Sequence, residues 1–275
     1  MSLSILVPLL AIALAAAMAG AWWVAMTTGE SGRADSNWSL ATGIAAAVAA
    51  LVPAASGGWS ARHLLVAAAV ALWGLRLGVH IARRADGTDD PRYAELKAQW
   101  GEDHRKRLFW FLQIQAAVSL VLVLAVLAAA RNEAGLAVTD WLALALAALA
   151  ILGEAVADRQ LTRFRAAPAN RGRICDQGLW AHSRHPNYFF EWLFWLSLPL
   201  FALGAPGSPP IGVVAFAAPL LMYWLLVHVS GIPPLEAHML RSRGDAFRDY
   251  QARVNAFWPG PGRAAAPTAE RRTSP

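Results

Sequence analysis

Residues Ser183 to Trp192 (SRHPNYFFEW) carry a cationic loop directly into an apolar segment. Pro186 is suited to open a helix there, because the N–H it lacks would have no partner in a first turn. Asn187, Glu191 and Trp195 follow at i, i+4 and i+8, so an amide, a carboxylate and an indole line one helix face. A carboxylate inside an apolar span costs about 3 kcal/mol unless it is paired or faces a wet cavity. The spacing predicts a ligand-binding face of Asn187, Glu191 and Trp195, with Arg184 and His185 clustered at its start.

Two other stripes have the same character. Trp73, Arg76 and His80 fall at i, i+3 and i+7, with Arg76 well inside an apolar run. Glu154, Asp158, Thr162 and Arg165 are spaced 4, 4 and 3 along the end of another run. A helix end emerging into water accounts for Arg159 and Arg163, but Glu154 lies about a turn deeper. Two acids and a base on one stripe predict a polar cavity. Between this stripe and Arg184, the loop holding Arg171, Arg173 and Asp176 offers fork-shaped donors. Together with the free N–H groups of a helix start, those donors are suited to phosphate.

The remaining polar residues read more plainly. Gln113 and Gln115 are expected to act as interhelical glue. Asp35 is expected to cap the segment that it opens. Glu236 and His238 either close the cavity from below or cap a surface helix. His182 and His185 form a close pair in a loop with no HExxH motif, so no metal site is expected. Cys175 has no base partner in view, and no serine sits in a GxSxG elbow. A lone cysteine also excludes an intrachain disulfide.

These residues are embedded in a chain that is 57% hydrophobic and 15% charged, whereas soluble domains carry roughly 25% charge. Seven segments are long and apolar enough to be read as membrane helices, near 3–27, 37–54, 62–82, 108–130, 137–157, 187–204 and 210–230. The second is short and rich in alanine, so six is the fallback. The expected fold is therefore an all-α integral membrane protein of about seven transmembrane helices. Residues 1–259 form one domain in this reading, and 260–275 a disordered cytoplasmic tail. Lys and Arg concentrate in the 83–107 and 158–186 connections and after 240. The positive-inside rule then puts the C-terminus in the cytoplasm and the N-terminus outside. A net charge of +6 follows from that topology, with anionic lipid headgroups as default partners and no need of nucleic acid. Pro233 and Pro234 are expected to end the last span. One helix over 235–256 would follow, with Leu235, Met239, Leu240, Phe247 and Tyr250 on an interfacial face.

Taken together, Arg184 to Glu191 (RHPNYFFE), Asp158 to Arg165 (DRQLTRFR) and Gly178-Leu-Trp resemble the C-terminal half of steroid 5-alpha-reductases. The likeness is greatest to the bacterial branch of that superfamily. It extends to Leu72 through Arg76, to Asp90 through Tyr93, to Gly231 through Glu236, and to Tyr250 and Phe257 through Pro259. The resemblance implies a seven-helix reductase of the bacterial inner membrane, with NADPH bound from the cytoplasmic side. It implies that Asn187, Glu191 and Trp195 contact the nicotinamide end. Asp158, Arg165 and Arg173 would run along the ribose and phosphates, and Arg76 would also reach the cofactor. His80 falls where the family often has Tyr, and Glu236 lies in the closing segment. The implied reaction reduces a carbon–carbon double bond conjugated to a ketone, in a lipophilic sterol- or isoprenoid-like substrate.

The catalytic positions depart from the steroid enzymes. Trp73 stands where they carry a Tyr, and its indole N–H can donate a hydrogen bond but cannot release a proton. Asp35 is the acid nearest to the position where they carry a Glu. Trp73, Asp35 and Glu191 are therefore the candidates to polarise the ketone and supply the proton. A related reading is a membrane methyltransferase of the isoprenylcysteine type using S-adenosylmethionine. Arg76, Arg165, Arg171, Arg173 and Arg184 favour a ligand rich in phosphate over a methyl donor that has none. A lipid-binding protein without activity is the non-enzymatic alternative.

Overall fold

The structure, a computed structural model, describes residues 1–53, 58, 60–84, 91–132, 134–203 and 210–262. Asp90 and the tail from Ala264 to Pro275 lie outside the described residues. Among those described, every regular element is a helix. Helices α1 (Leu3–Thr28), α2 (Arg33–Leu51), α3 (Ala61–Ala82), α4 (Pro91–Trp100), α5 (His104–Ala130) and α6 (Val138–Ala166) come first. They are followed by α7 (Pro186–Leu196), α8 (Leu198–Leu203), α9 (Ala217–Trp224), α10 (Ile232–Arg243) and α11 (Asp245–Arg253).

Helix occupies all seven of the expected segments, and among the described residues five stretches are long and apolar enough to cross a membrane. These are Leu3–Thr28, Ala61–Ala82, Arg92–Ala130, Val138–Ala166 and Gly212–Arg243. Their outward faces are apolar as well. Trp141, Leu142, Leu149 and Leu152 of α6 are all more than half exposed, as expected of a helix surrounded by lipid. The other two segments fall short for local reasons. α2 opens with Arg33, Asp35, Ser36 and Asn37. α7 has 11 residues, a rise of about 16 Å, roughly half the hydrocarbon thickness. It breaks at Ser197 because Pro199 has no N–H to continue the ladder and its ring opposes the carbonyl four residues back.

The chain divides into two compact units. Unit 1 comprises Met1–Ala148 and Phe194–Leu221, and unit 2 comprises Leu149–Leu193 and Met222–Pro275.

In unit 1, α5 packs against α1, α2, α3, α4 and α8, and its last turns from Leu122 to Ala130 are buried almost throughout. α2 and α3 meet along small residues. A Cβ on Gly43 would lie 2.8 Å from the Gly74 Cα, and one on Gly78 would lie 2.5 Å from Leu40 Cγ. Ser36 Oγ donates to the Gly78 carbonyl at 2.8 Å. Gln113 Nε2 donates to the Ala15 carbonyl at 3.3 Å, the interhelical role expected of it.

One contact in unit 1 was not anticipated. Arg62, at the start of α3, forms a two-pronged ion pair with Asp140 of α6 at 2.7 and 2.8 Å, and both side chains are fully buried. Arg62 also donates to the carbonyls of Asn132, Ala134 (2.7 Å) and Gly135 (3.0 Å). Asp140 in turn accepts from the Ala137 N–H at 2.7 Å, closing the first turn of α6. Asn132 Nδ2 reaches the Phe201 and Ala202 carbonyls of α8, each at 3.2 Å.

In unit 2, Gly153 of α6 leaves a notch that the Phe190 ring of α7 fills, 2.4 Å from where a Cβ would stand. The segment after the last span differs from the expectation. Pro233 and Pro234 open α10 instead of ending the span, since proline is tolerated in a first turn. A π turn at Leu225–Val229 precedes α10 within the Gly212–Arg243 stretch. The predicted helix over 235–256 is two helices, broken at Gly244, whose φ of +53° suits glycine. Phe247 and Tyr250 do not form an interfacial face. They are buried with Val254 against Ile174, Met239 and Leu240.

Replacing Arg62 by Met would strand the Asp140 carboxylate without its partner. The expected loss is about 3–5 kcal/mol, read as a fall in thermal midpoint of the detergent-purified protein. Arg62→Met with Asp140→Leu should recover much of that loss.

Candidate functional site

The loop before α7 is held by hydrogen bonds that its sequence does not advertise. Ser183 Oγ donates to the Phe257 carbonyl at 2.9 Å and accepts from the His185 N–H at 3.1 Å. The Arg184 N–H donates to the Asn255 carbonyl at 2.8 Å. Trp180 Nε1 donates to the Ala157 carbonyl at 3.0 Å, and Tyr250 Oη donates to the Trp180 carbonyl at 2.5 Å. Helix α7 then starts at Pro186, as expected.

Glu236 of α10 is the centre of this region. Its Oε1 accepts from Arg184 Nε at 2.7 Å and from His185 Nε2 at 2.9 Å. Its Oε2 accepts from Gln251 Nε2 at 2.7 Å and from the second prong of Arg184 at 3.1 Å. Arg184 uses its remaining nitrogen on the Gln251 (3.3 Å) and Val254 carbonyls. Its guanidinium is thus engaged within unit 2. The carboxylate can only accept, so His185 carries its proton on Nε2. Tyr188 stacks on that imidazole, with ring centroids 5.4 Å apart and planes 10° from parallel. Burial pushes the His185 imidazole below its ordinary range, and the hydrogen bond to Glu236 opposes that shift without overcoming it. The two loop histidines have separate uses, since His182 is exposed and lies 3.3 Å from the Gly260 carbonyl.

Three more carboxylates, Glu154 and Asp158 of α6 and Glu191 of α7, are buried in unit 2. Asn187 is half-buried one turn before Glu191. Arg165, Arg171 and Arg173 are exposed. Gly172 turns between the last two with φ +82°, and a Cβ there would lie 4.0 Å from the outer nitrogen of Arg243. Arg243 is therefore a fourth cation beside this loop. Cys175 is buried, and burial pushes its thiol above the ordinary range.

The other predicted residues belong to unit 1. Trp73 is fully buried, stacked on Phe194 at 5.6 Å and meeting Trp195 edge-to-face at 4.7 Å and Trp38 at 6.2 Å. Arg76 and His80 continue the Trp73 face of α3 and are half-buried. Asp35 is not a helix cap; the α2 cap position is Gly32. Its two oxygens instead accept from Tyr93 Oη and from Arg92, each at 2.7 Å. The basic Arg92 and the buried phenol of Tyr93 are better partners for a carboxylate than a lone backbone N–H.

All the predicted cofactor contacts except Arg76, His80 and Trp195 fall within unit 2. Gln251 and the Arg62–Asp140 pair are not among the residues that the sequence singles out, and it assigns no partner to Ser183 or Tyr93. An Arg and an Asp each within a turn of the start of an apolar run were the available sign of that pair.

Among the described residues, fold and site together define an all-helical protein with five stretches of membrane-crossing length and a charged cluster at the start of α7. Residues 21–254 match the family described as "Protein of unknown function (DUF1295)", and the chain belongs to that family. No curated protein and no solved structure matches the chain.

The position of His185 predicts a pH dependence. Its imidazole binds protons less readily folded than unfolded. Its contribution to stability is therefore complete above its unfolded value, about 6.5. As pH falls through that value the unfolded chain takes up the proton first, and stability is lost. Thermal midpoints measured from about pH 7.5 down to about pH 5 should fall more steeply in the wild type than in His185→Gln, which keeps an N–H donor but does not titrate.

Proposed function

We propose that this chain is a membrane-embedded, NADPH-dependent reductase of a carbon–carbon double bond conjugated to a ketone, acting on a lipophilic sterol- or isoprenoid-like substrate. The observation that carries this reading is the gathering of Asp158, Arg165, Arg173, Arg184, His185, Asn187, Tyr188, Glu191 and Glu236 into one compact unit. Eight of those residues lie between Asp158 and Glu191, Glu236 joins them from α10, and together they carry the resemblance to the steroid 5-alpha-reductases. On this reading the chain crosses the bacterial inner membrane seven times, with its C-terminus in the cytoplasm. A reporter that needs the cytoplasm to fold should then be active when fused after Pro275, and inactive when fused before Met1.

The residues present suit the dinucleotide. Arg165, Arg171, Arg173 and Arg243 offer guanidinium forks of the kind that bind phosphates in two-pronged fashion. The buried carboxylates of Asp158 and Glu154 can accept from ribose hydroxyls, the use that dinucleotide sites make of an acid. Arg184 and His185, bound to Glu236, shape the wall of the site, and Tyr188 packs over them. Asn187 and Glu191, one turn apart on α7, would orient a nicotinamide amide, with Trp195 next on that face. When bound, the cofactor supplies the hydride; the protein orients it and excludes water. For the ketone, the indole N–H of Trp73 can stabilise developing negative charge. The Asp35–Tyr93 pair holds the only phenolic proton among the three candidate positions.

The test is thermal shift on detergent-purified protein with NADPH, beside Asn187→Ala and Glu191→Ala. Stabilisation by NADPH that is lost in both variants is expected. Stabilisation by S-adenosylmethionine instead would move the chain to the methyltransferases. No response to either would favour a lipid-binding protein without activity.

A further inference from the structure

An open groove of about 540 Å³ lies on unit 2, walled by Leu179, Pro186, Phe189, Phe190, Trp192 and Leu193, with His182, Trp258 and Pro259 at its edge. That volume is within the range of about 300–1,000 Å³ that small-ligand sites occupy. We propose that the groove binds one acyl chain of a bilayer phospholipid. The inference goes beyond the reductase reading and does not depend on it.

Three observations select this occupant. The first is charge. Among the described residues His182 is the only ionisable group in the wall, so a peptide or polar ligand would leave its buried polar groups unpaired, while a hydrocarbon chain has none to satisfy. The second is construction. The wall is fixed by its own ring contacts: Trp192 meets Trp258 at 5.2 Å, Phe189 meets Trp258 at 6.0 Å, and Phe189 meets Phe190 at 5.4 Å. Phe190 is seated in the Gly153 notch, and the Gly260 N–H donates to the His182 carbonyl at 3.0 Å, pinning the chain after Pro259. The groove is therefore a formed cleft, able to hold a chain without first ordering its walls. The third is setting. Trp258 is half exposed and His182 exposed at the edge, the residue types that sit where hydrocarbon meets headgroup.

The full chain would be reconstituted in phosphatidylcholine vesicles containing a phosphatidylcholine with a diazirine on one acyl chain, irradiated, and its labelled peptides mapped by mass spectrometry. Labelling of Phe189 to Leu193 and of Trp258 should exceed, severalfold, that of the exposed α6 residues Leu149 and Leu152. Leu179→Trp, which fills the groove from the loop side, should remove that excess and leave α6 labelling unchanged. His182→Trp at the mouth serves if Leu179→Trp does not fold. Equal labelling of α6 and α7 would overturn the proposal, because the groove would then be ordinary lipid-facing surface. So would loss of the excess on adding 4-cholesten-3-one, which would give the groove to a lipophilic enone.

Discussion

An ionised side chain taken out of water must find a partner of opposite charge and enough hydrogen bonds to use its remaining valences. Asp140 in unit 1 and Glu236 in unit 2 each meet that constraint, and much else in their units follows from how. Asp140 takes both prongs of Arg62, and the other donors of that guanidinium satisfy the carbonyls of the connection before α6. Glu236 is saturated by Arg184, His185 and Gln251, which ties α10 and α11 to the loop that starts α7. In both places one arginine does two jobs, neutralising an acid and closing off a turn of chain.

The packing around these pairs uses two different means. α2 and α3 approach through glycine and serine, which lets backbone meet backbone and leaves hydroxyls to bond across the seam. Between apolar helices surrounded by lipid, close van der Waals contact of this kind replaces the hydrophobic drive that water would supply. The end of α7 and the segment around Trp258 instead use large rings set edge-to-face. Rings of this size bury much area while losing few rotamers, and their mutual geometry is directional. One region is therefore tight because its residues are small, the other rigid because they are large.

Much of this was legible in the sequence. Long apolar runs announce helices, so α1, α3, α5 and α6 could be placed from hydrophobicity alone. Pro186 marked the start of α7 because a first turn needs no N–H from it. The limits were physical as well. Pro233 and Pro234 read as a stop, but proline is equally at home in a first turn, and which use it serves depends on the preceding π turn. Asp35 read as a cap because local rules see only its own helix, while its partners Arg92 and Tyr93 are 57 and 58 residues away. The Arg62–Asp140 pair, 78 residues apart, was hidden for the same reason. Periodicity reports which face a residue occupies; it carries no information about which distant side chain stands opposite.

That distinction changes how the arginines of unit 2 should be counted. In the sequence, Arg165, Arg171, Arg173 and Arg184 are one cationic run, equally suited to headgroups, phosphates or the positive-inside rule. In the structure they divide. Arg184 is bound on three nitrogens by groups of its own unit, and breaking that set for a ligand would strand Glu236. Arg165, Arg171 and Arg173 face outward, and Arg243 joins them through the Gly172 turn. On the reductase reading, phosphate recognition therefore rests with the exposed group, and Arg184 contributes by fixing the wall from which Asn187 and Glu191 project. A lost Arg184 would then weaken cofactor binding by disordering α7, whereas a lost Arg173 would weaken it by removing one charge. The two losses differ in kind, because only the first also removes stability from the protein without ligand.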